Sequence, residues 1–170
     1  MRVLTITADN FEDSELSEPV AALTQAGVDV DVASLGTGTM TGKKGTEVEA
    51  NLDVADADAT DYEMLFLPGG KAPAQLREAD SVLALARAFM AAEKPIAAIC
   101  HGPQILISAG LVEGRRMTSY QAVAEELKAA GAQYADEPVV VDRNLITSRN
   151  PRDLPAFVQQ MLQSLRSAAP

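Results

Sequence analysis

The chain contains one cysteine and one histidine, and they are neighbours, Cys100-His101. Such a pair can do nucleophilic chemistry: a thiolate attacks an electrophilic carbon and an imidazole moves a proton. The same count excludes a zinc site of the cysteine/histidine kind and any pairing of the thiol with a distant histidine. The surrounding run, Ala97-Ala98-Ile99-Cys100-His101-Gly102, carries small residues into a reactive side chain and then a glycine. That is the layout of a nucleophile elbow, in which a tight strand-to-helix turn pushes one side chain out of the sheet. A helix starting directly after it brings positive partial charge to the sulfur and should lower the thiol below its ordinary value. The alternative is an inert buried cysteine acting as a small hydrophobe.

Two further runs could complete such a site. In Pro68-Gly69-Gly70, two glycines after an apolar run let backbone N–H groups approach a ligand closely. Beside an elbow, the N–H groups of Gly70 and His101 could form an oxyanion hole. The plain alternative is a loop between a strand and a helix. In Phe11-Glu12-Asp13-Ser14-Glu15, Glu12 and Glu15 are spaced i, i+3 and share one helix face. A carboxyl held beside a thiolate has its pKa raised and can donate a hydrogen bond to sulfur. Acids that simply complement a helix N-terminus are the common alternative.

The elements that must position these residues can be read from periodicity. Arg2 to Thr7 alternates and is rich in β-branched residues, which predicts a strand. Ala8-Asp9-Asn10 reads as a turn and helix cap, and the helix from Phe11 ends at Gly27. Val28 to Val32 alternates strictly and predicts a second strand. Gly36 to Gly45 is a loop or hairpin, and Thr46 to Ala50 a short edge strand. Met64 to Leu67 is continuously apolar, as a parallel strand buried on both faces should be. Val82 to Phe89 predicts a helix, Pro95 to Ile99 a buried strand, and Gln104 to Ala109 a helix stopping at Gly110. Thr118 to Tyr120 leads into a helix ending near Gly131. Val139 to Thr147 reads as a hairpin around Asp142-Arg143-Asn144, and Leu154 to Leu165 as an amphipathic helix. Alternating strands and helices predict an α/β fold with a mostly parallel sheet. Ligands bind beyond the carboxyl ends of such strands, where both unusual loops fall.

Composition sets the outer bounds. The 170 residues suit a single domain spanning 1–170, and 47% hydrophobic with 22% charged residues is ordinary for a globular protein. A net charge of −10 gives no general attraction for nucleic acid or an anionic membrane. The acid is concentrated: residues 1–70 hold three basic side chains against fourteen acidic ones. No window supplies the ~20 apolar residues of a membrane span, and no signal peptide is visible. A lone cysteine with no internal disulfide partner fits the reducing cytoplasm. No cofactor or metal is indicated.

The chain resembles the PfpI-type intracellular cysteine protease and protein deglycase family, within the class I glutamine-amidotransferase-like superfamily. The resemblance covers nearly the whole chain. It is carried by Phe11 to Leu16, Phe66 to Gly70, Ala98 to Gln104, Thr118-Ser119-Tyr120 and Thr147-Ser148-Arg149. It implies a flavodoxin-like three-layer sandwich with helices on both faces of the sheet, assembled as a homodimer or a higher oligomer such as a hexamer. It implies Cys100 as nucleophile beside His101, Glu15 as the acid touching its sulfur, Glu12 nearby, and Gly69, Gly70 and Tyr120 around the oxyanion and substrate. Two departures bear on activity. Protease-type members carry a glutamate after the Ala-Pro that follows the Gly-Gly loop, and it orients the histidine across a subunit boundary; here that position is Ala74. Where the human-type deglycase carries a second histidine, this chain has Tyr120.

Three functions follow as expectations. The first is a stress-related thiol enzyme acting on a small reactive aldehyde or a glycated protein, with Glu15, Glu12 or His101 moving the proton. The second is an intracellular cysteine peptidase, weakened by Ala74. The third is a non-enzymatic redox sensor or stress chaperone in which Cys100 oxidises reversibly.

Overall fold

The computed structural model describes residues 1–168. Its strands are β1 (Arg2–Ile6), β2 (Asp29–Ser34), β3 (Gly38–Thr41), β4 (Glu47–Ala50), β5 (Leu52–Asp53), β6 (Met64–Leu67), β7 (Ile96–Ile99), β8 (Arg116–Met117), β9 (Gln133–Tyr134), β10 (Val139–Asp142) and β11 (Leu145–Ser148). Its α-helices are α1 (Asp13–Gln25), α2 (Ala72–Leu76), α3 (Asp80–Ala91), α4 (Pro103–Ser108), α5 (Ala124–Ala129) and α6 (Leu154–Ala168). Seven strands form one sheet in the order β10-β11-β7-β6-β1-β2-β5. Within it only β10 runs antiparallel, through its hairpin with β11. The rest pair in parallel, with Leu4 opposite Leu65, Leu65 opposite Ile96, and Ile96 opposite Leu145.

This arrangement follows from where the apolar side chains fall. Every residue of β6 and β7 is buried, because these strands lie mid-sheet with helices over both faces. α1 packs beside α6, and α3 packs beside α2 and α4. Phe11, Phe66, Phe89 and Phe157 are fully buried, and Phe66 meets Phe157 at 6.0 Å between ring centroids. The remaining core is aliphatic, as a chain with 4% aromatic residues requires. The architecture is the α/β fold with a mostly parallel sheet that the alternation of elements predicts, in the flavodoxin-like layout that the resemblance implies.

Two expectations need correction. Residues Glu47–Ala50 do not edge the main sheet; they pair with Gly38–Thr41 as a separate antiparallel ribbon, and β5 takes the edge. Asn10 does not cap α1. It turns the chain at φ 65°, the cap position falls on Glu12, and Asp9 accepts the Thr41 N–H at 2.8 Å. Both differences have one cause: the ribbon folds back over the start of α1 and uses the polar groups there. Among the described residues no helix is long and apolar enough to cross a membrane.

Candidate active site

Cys100 sits one residue beyond β7 with φ 63°, in the left-handed region that disfavours an L side chain. Such a conformation costs on the order of 1–3 kcal/mol and persists only when the surroundings enforce it. Here they do. The Cys100 N–H donates to the Ser148 carbonyl at 3.0 Å, its carbonyl accepts the Tyr120 N–H at 2.9 Å, and the Gly102 N–H returns to the Ile99 carbonyl at 2.9 Å. Gly102 is required because a Cβ there would collide with the Leu67 carbonyl oxygen. The elbow therefore forms as the residue order predicts, with α4 starting at Pro103. Cys100 is 7% exposed.

Glu15 projects from the first turn of α1 and is fully buried. Its Oε1 accepts the Gly69 N–H at 3.0 Å. Its Oε2 is buried without a hydrogen-bond partner, and the Cys100 thiol is the polar side chain within reach of this carboxyl. Burial pushes Glu15 up to about 7, against the thiol and the Gly69 N–H, which favour its ionised form. Gly69 makes this approach possible: a Cβ on it would stand 2.5 Å from Glu15 Oε1 and 2.8 Å from Cys100 Cβ. Gly70, at φ 87°, packs against the backbone of Asn10 to Glu12, where Phe11 bridges to it.

The expectation of a thiol below its ordinary value is not met. Burial pushes the Cys100 thiol up, and a Glu15 carboxylate pushes it further. The backbone N–H groups of Gly70 and His101 oppose this by favouring thiolate. Thiol and carboxyl thus share one low-dielectric space that accepts one negative charge far more readily than two. α4 is only six residues long, so these two amides are the donors that favour the anion.

His101 Nδ1 lies 3.3 Å from Cys100 Sγ. Burial, and after it the Lys43 charge, lower the imidazole from its ordinary 6.5, which keeps it neutral near pH 7. Its ring stacks on Tyr120 at 4.9 Å between centroids and 25° between planes. Ala74 is exposed on α2 and offers the imidazole no partner. Six residues singled out in the sequence thus converge: Cys100, His101, Glu15, Gly69, Gly70 and Tyr120. Glu12 lies beside them, but its carboxylate pairs with Lys43 at 3.1 Å and Lys44 at 3.5 Å.

Those lysines, and Asp13 which seats them, are the neighbours that sequence reasoning missed. Asp13 accepts the N–H groups of Lys44 and Thr46, both at 2.9 Å. The Thr46 hydroxyl and these N–H groups hold its carboxylate at about 2. The signal was present in Gly42-Lys43-Lys44-Gly45, a doubly cationic turn in an acidic half-chain. Among the described residues no group of three or more metal-ligating side chains is positioned to hold an ion.

The family model for the DJ-1/PfpI family matches residues 1–164. The chain belongs to the DJ-1/PfpI family. It is 42% identical over 166 residues to the Deglycase PH1704 of Pyrococcus horikoshii, covering 98% of this chain and all of that protein. It is 40% identical over 167 residues to General stress protein 18 of Bacillus subtilis, covering 96% of this chain and 97% of that one. A crystal structure of a two-domain protein from Anabaena variabilis, with DJ-1/ThiJ/PfpI-like and ferritin-like domains, superposes with a TM-score of 0.95 at 36% identity. That match covers 96% of this chain and 48% of the two-domain chain. Membership and names of this kind support an enzymatic activity of the DJ-1/PfpI type.

Proposed function

We propose that this protein is a thiol enzyme acting on reactive carbonyls, of the glyoxalase or deglycase type, with Cys100 as its nucleophile. The observation that carries the reading is the strained Cys100 elbow, with a buried carboxyl of raised pKa and two backbone N–H groups at one sulfur. A structural cysteine needs none of these. In the reaction, Cys100 Sγ bonds to the aldehyde carbon of an α-oxoaldehyde as its proton leaves to the Glu15 or His101 side. The carbonyl π pair moves onto oxygen, where the Gly70 and His101 N–H groups stabilise it, and protonation completes a hemithioacetal. Removal of the proton on the former aldehyde carbon and its return to the neighbouring carbon convert the adduct to a thioester. Water then cleaves the C–S bond, releasing a 2-hydroxy acid and restoring the thiol. The net change is addition of one water, so no redox cofactor is required.

Glu15 suits the proton transfers because a group near pH 7 both gives and takes a proton readily. The name of the Pyrococcus horikoshii relative favours this class of substrate. The stacked, neutral His101 supports a proton-transfer role without an orienting carboxylate. The test is turnover of methylglyoxal to lactate by wild type and by Cys100→Ser. Loss of turnover in the variant supports the reading, and equal turnover in both removes it.

A further inference from the structure

The β3–β4 turn brings charge to the site that this reaction scheme leaves unused. Of the three basic residues among 1–70, Arg2 lies at the start of β1 and binds Asp31 at 2.7 Å. The other two, Lys43 and Lys44, stand together beside the elbow and bracket the two oxygens of Glu12. Their placement is fixed by main chain. The Lys43 N–H donates to the Phe11 carbonyl at 3.0 Å, the Gly42 N–H to the Thr46 carbonyl at 2.8 Å, and the Lys44 N–H to Asp13. Glu12 has a side chain only 12% exposed, whereas those of Lys43 and Lys44 are 40% and 75% exposed. Each ammonium has three N–H donors; Lys43 gives one to Glu12 and Lys44 meets it only as an ion pair, so donors remain toward solvent. Asp13, the other fixed acid of the turn, is occupied by backbone N–H groups beneath it. The Lys43 charge is felt at Cys100, Glu15 and His101.

We propose that Lys43 and Lys44 form an anion-recognition clamp at the Cys100 site, taking the carboxylate of an anionic carbonyl substrate in place of Glu12. The inference rests on the reading of Cys100 as a reactive thiol and names the substrate class of that site. A carboxylate on the incoming carbonyl compound replaces Glu12 in charge-assisted hydrogen bonds to the two ammonium groups. Glu12 is then a built-in competitor that tempers affinity for anions in general. Neutral carbonyls reach the sulfur without using the clamp.

The single cysteine allows a direct test. Iodoacetate and iodoacetamide both alkylate a thiol by displacing iodide, and they differ in one carboxylate. Their rates on the full chain are followed by intact mass. The clamp predicts that Lys43→Gln with Lys44→Gln lowers the iodoacetate-to-iodoacetamide rate ratio about tenfold, a usual size for local electrostatic steering. The iodoacetamide rate is the reference: it carries whatever the lost Lys43 charge does to the thiol, so only the ratio reads the contact with the carboxylate. Glu12→Gln should move the ratio the opposite way, which no general loss of folding would do. An unchanged ratio, or equal slowing of both reagents, overturns the clamp while leaving Cys100 reactive. A wild-type Cys100 inert to both reagents instead overturns the thiol chemistry, and the clamp with it.

Discussion

At the scale of single residues, the account turns on one proton shared between Cys100 and Glu15. Burial raises both groups; an ionised Glu15 raises the thiol further, while the thiol, as a hydrogen-bond donor, favours the ionised carboxyl. Glu15→Gln removes that charge, so the thiolate absorbance should appear at lower pH than in wild type. Turnover should nevertheless fall about a hundredfold if Glu15 moves the proton as proposed. A thiol titration unmoved by the substitution would show that the two groups are not coupled. Ala74 supplies a second test. With no orienting carboxylate on His101, wild type should cleave a fluorogenic peptide no faster than Cys100→Ser. Orienting residues in such triads are worth orders of magnitude. Cys100-dependent peptide cleavage by wild type would show that the Tyr120 stack suffices for proteolysis. The elbow was legible because it is written in consecutive residues, Ala97 to Gly102. The direction of the thiol shift was not legible, because desolvation depends on depth in the fold rather than on neighbours in sequence.

At the scale of elements, the site is where three loops at the carboxyl ends of β1, β6 and β7 close on one another. Glycine sets how closely they approach. Gly102→Ala should cost about 3 kcal/mol or more in urea unfolding, since the new Cβ meets rigid backbone oxygens. Gly69→Ala meets the Glu15 carboxyl and Cys100 Cβ instead, so it should reduce turnover more than stability. The β3–β4 turn is held by the Asp13 carboxylate, and Gly42 leaves room for it, with a Cβ there only 2.8 Å from that group. Asp13→Ala should cost about 2 kcal/mol, the size of lost hydrogen bonds to a charged acceptor, and should expose residues 42–46 to limited proteolysis. A turn equally resistant in the variant would mean that other contacts hold it. The helix of α1 and the strands β6 and β7 were legible from periodicity. The ribbon's place was not, because its partners are side-chain and backbone groups about thirty residues away.

At the scale of the whole molecule, the two best-buried acids of the site pull stability in opposite directions with pH. Glu15 is raised from 4.5 to about 7, so the folded chain keeps a proton that the unfolded chain has lost. Stability therefore falls as pH rises through that window, on the order of 3 kcal/mol for this group. Asp13 is lowered from 3.8 to about 2, so its contribution is present above 3.8 and is lost as pH falls toward 2. Thermal melts should show Glu15→Gln flattening the decline between pH 4.5 and 7; an unchanged slope would contradict the raised Glu15. The α/β class was legible throughout, since strands alternate with helices and the central strands are uniformly apolar. The central claim is that Cys100 acts covalently on reactive carbonyls. The most direct measurement is mass spectrometry of the intact chain, trapped during methylglyoxal turnover and compared with Cys100→Ser. The account predicts a single adduct on Cys100 that appears with lactate formation and is absent from the variant. Lactate formed at the wild-type rate by Cys100→Ser, with no adduct on Cys100 in wild type, would contradict it.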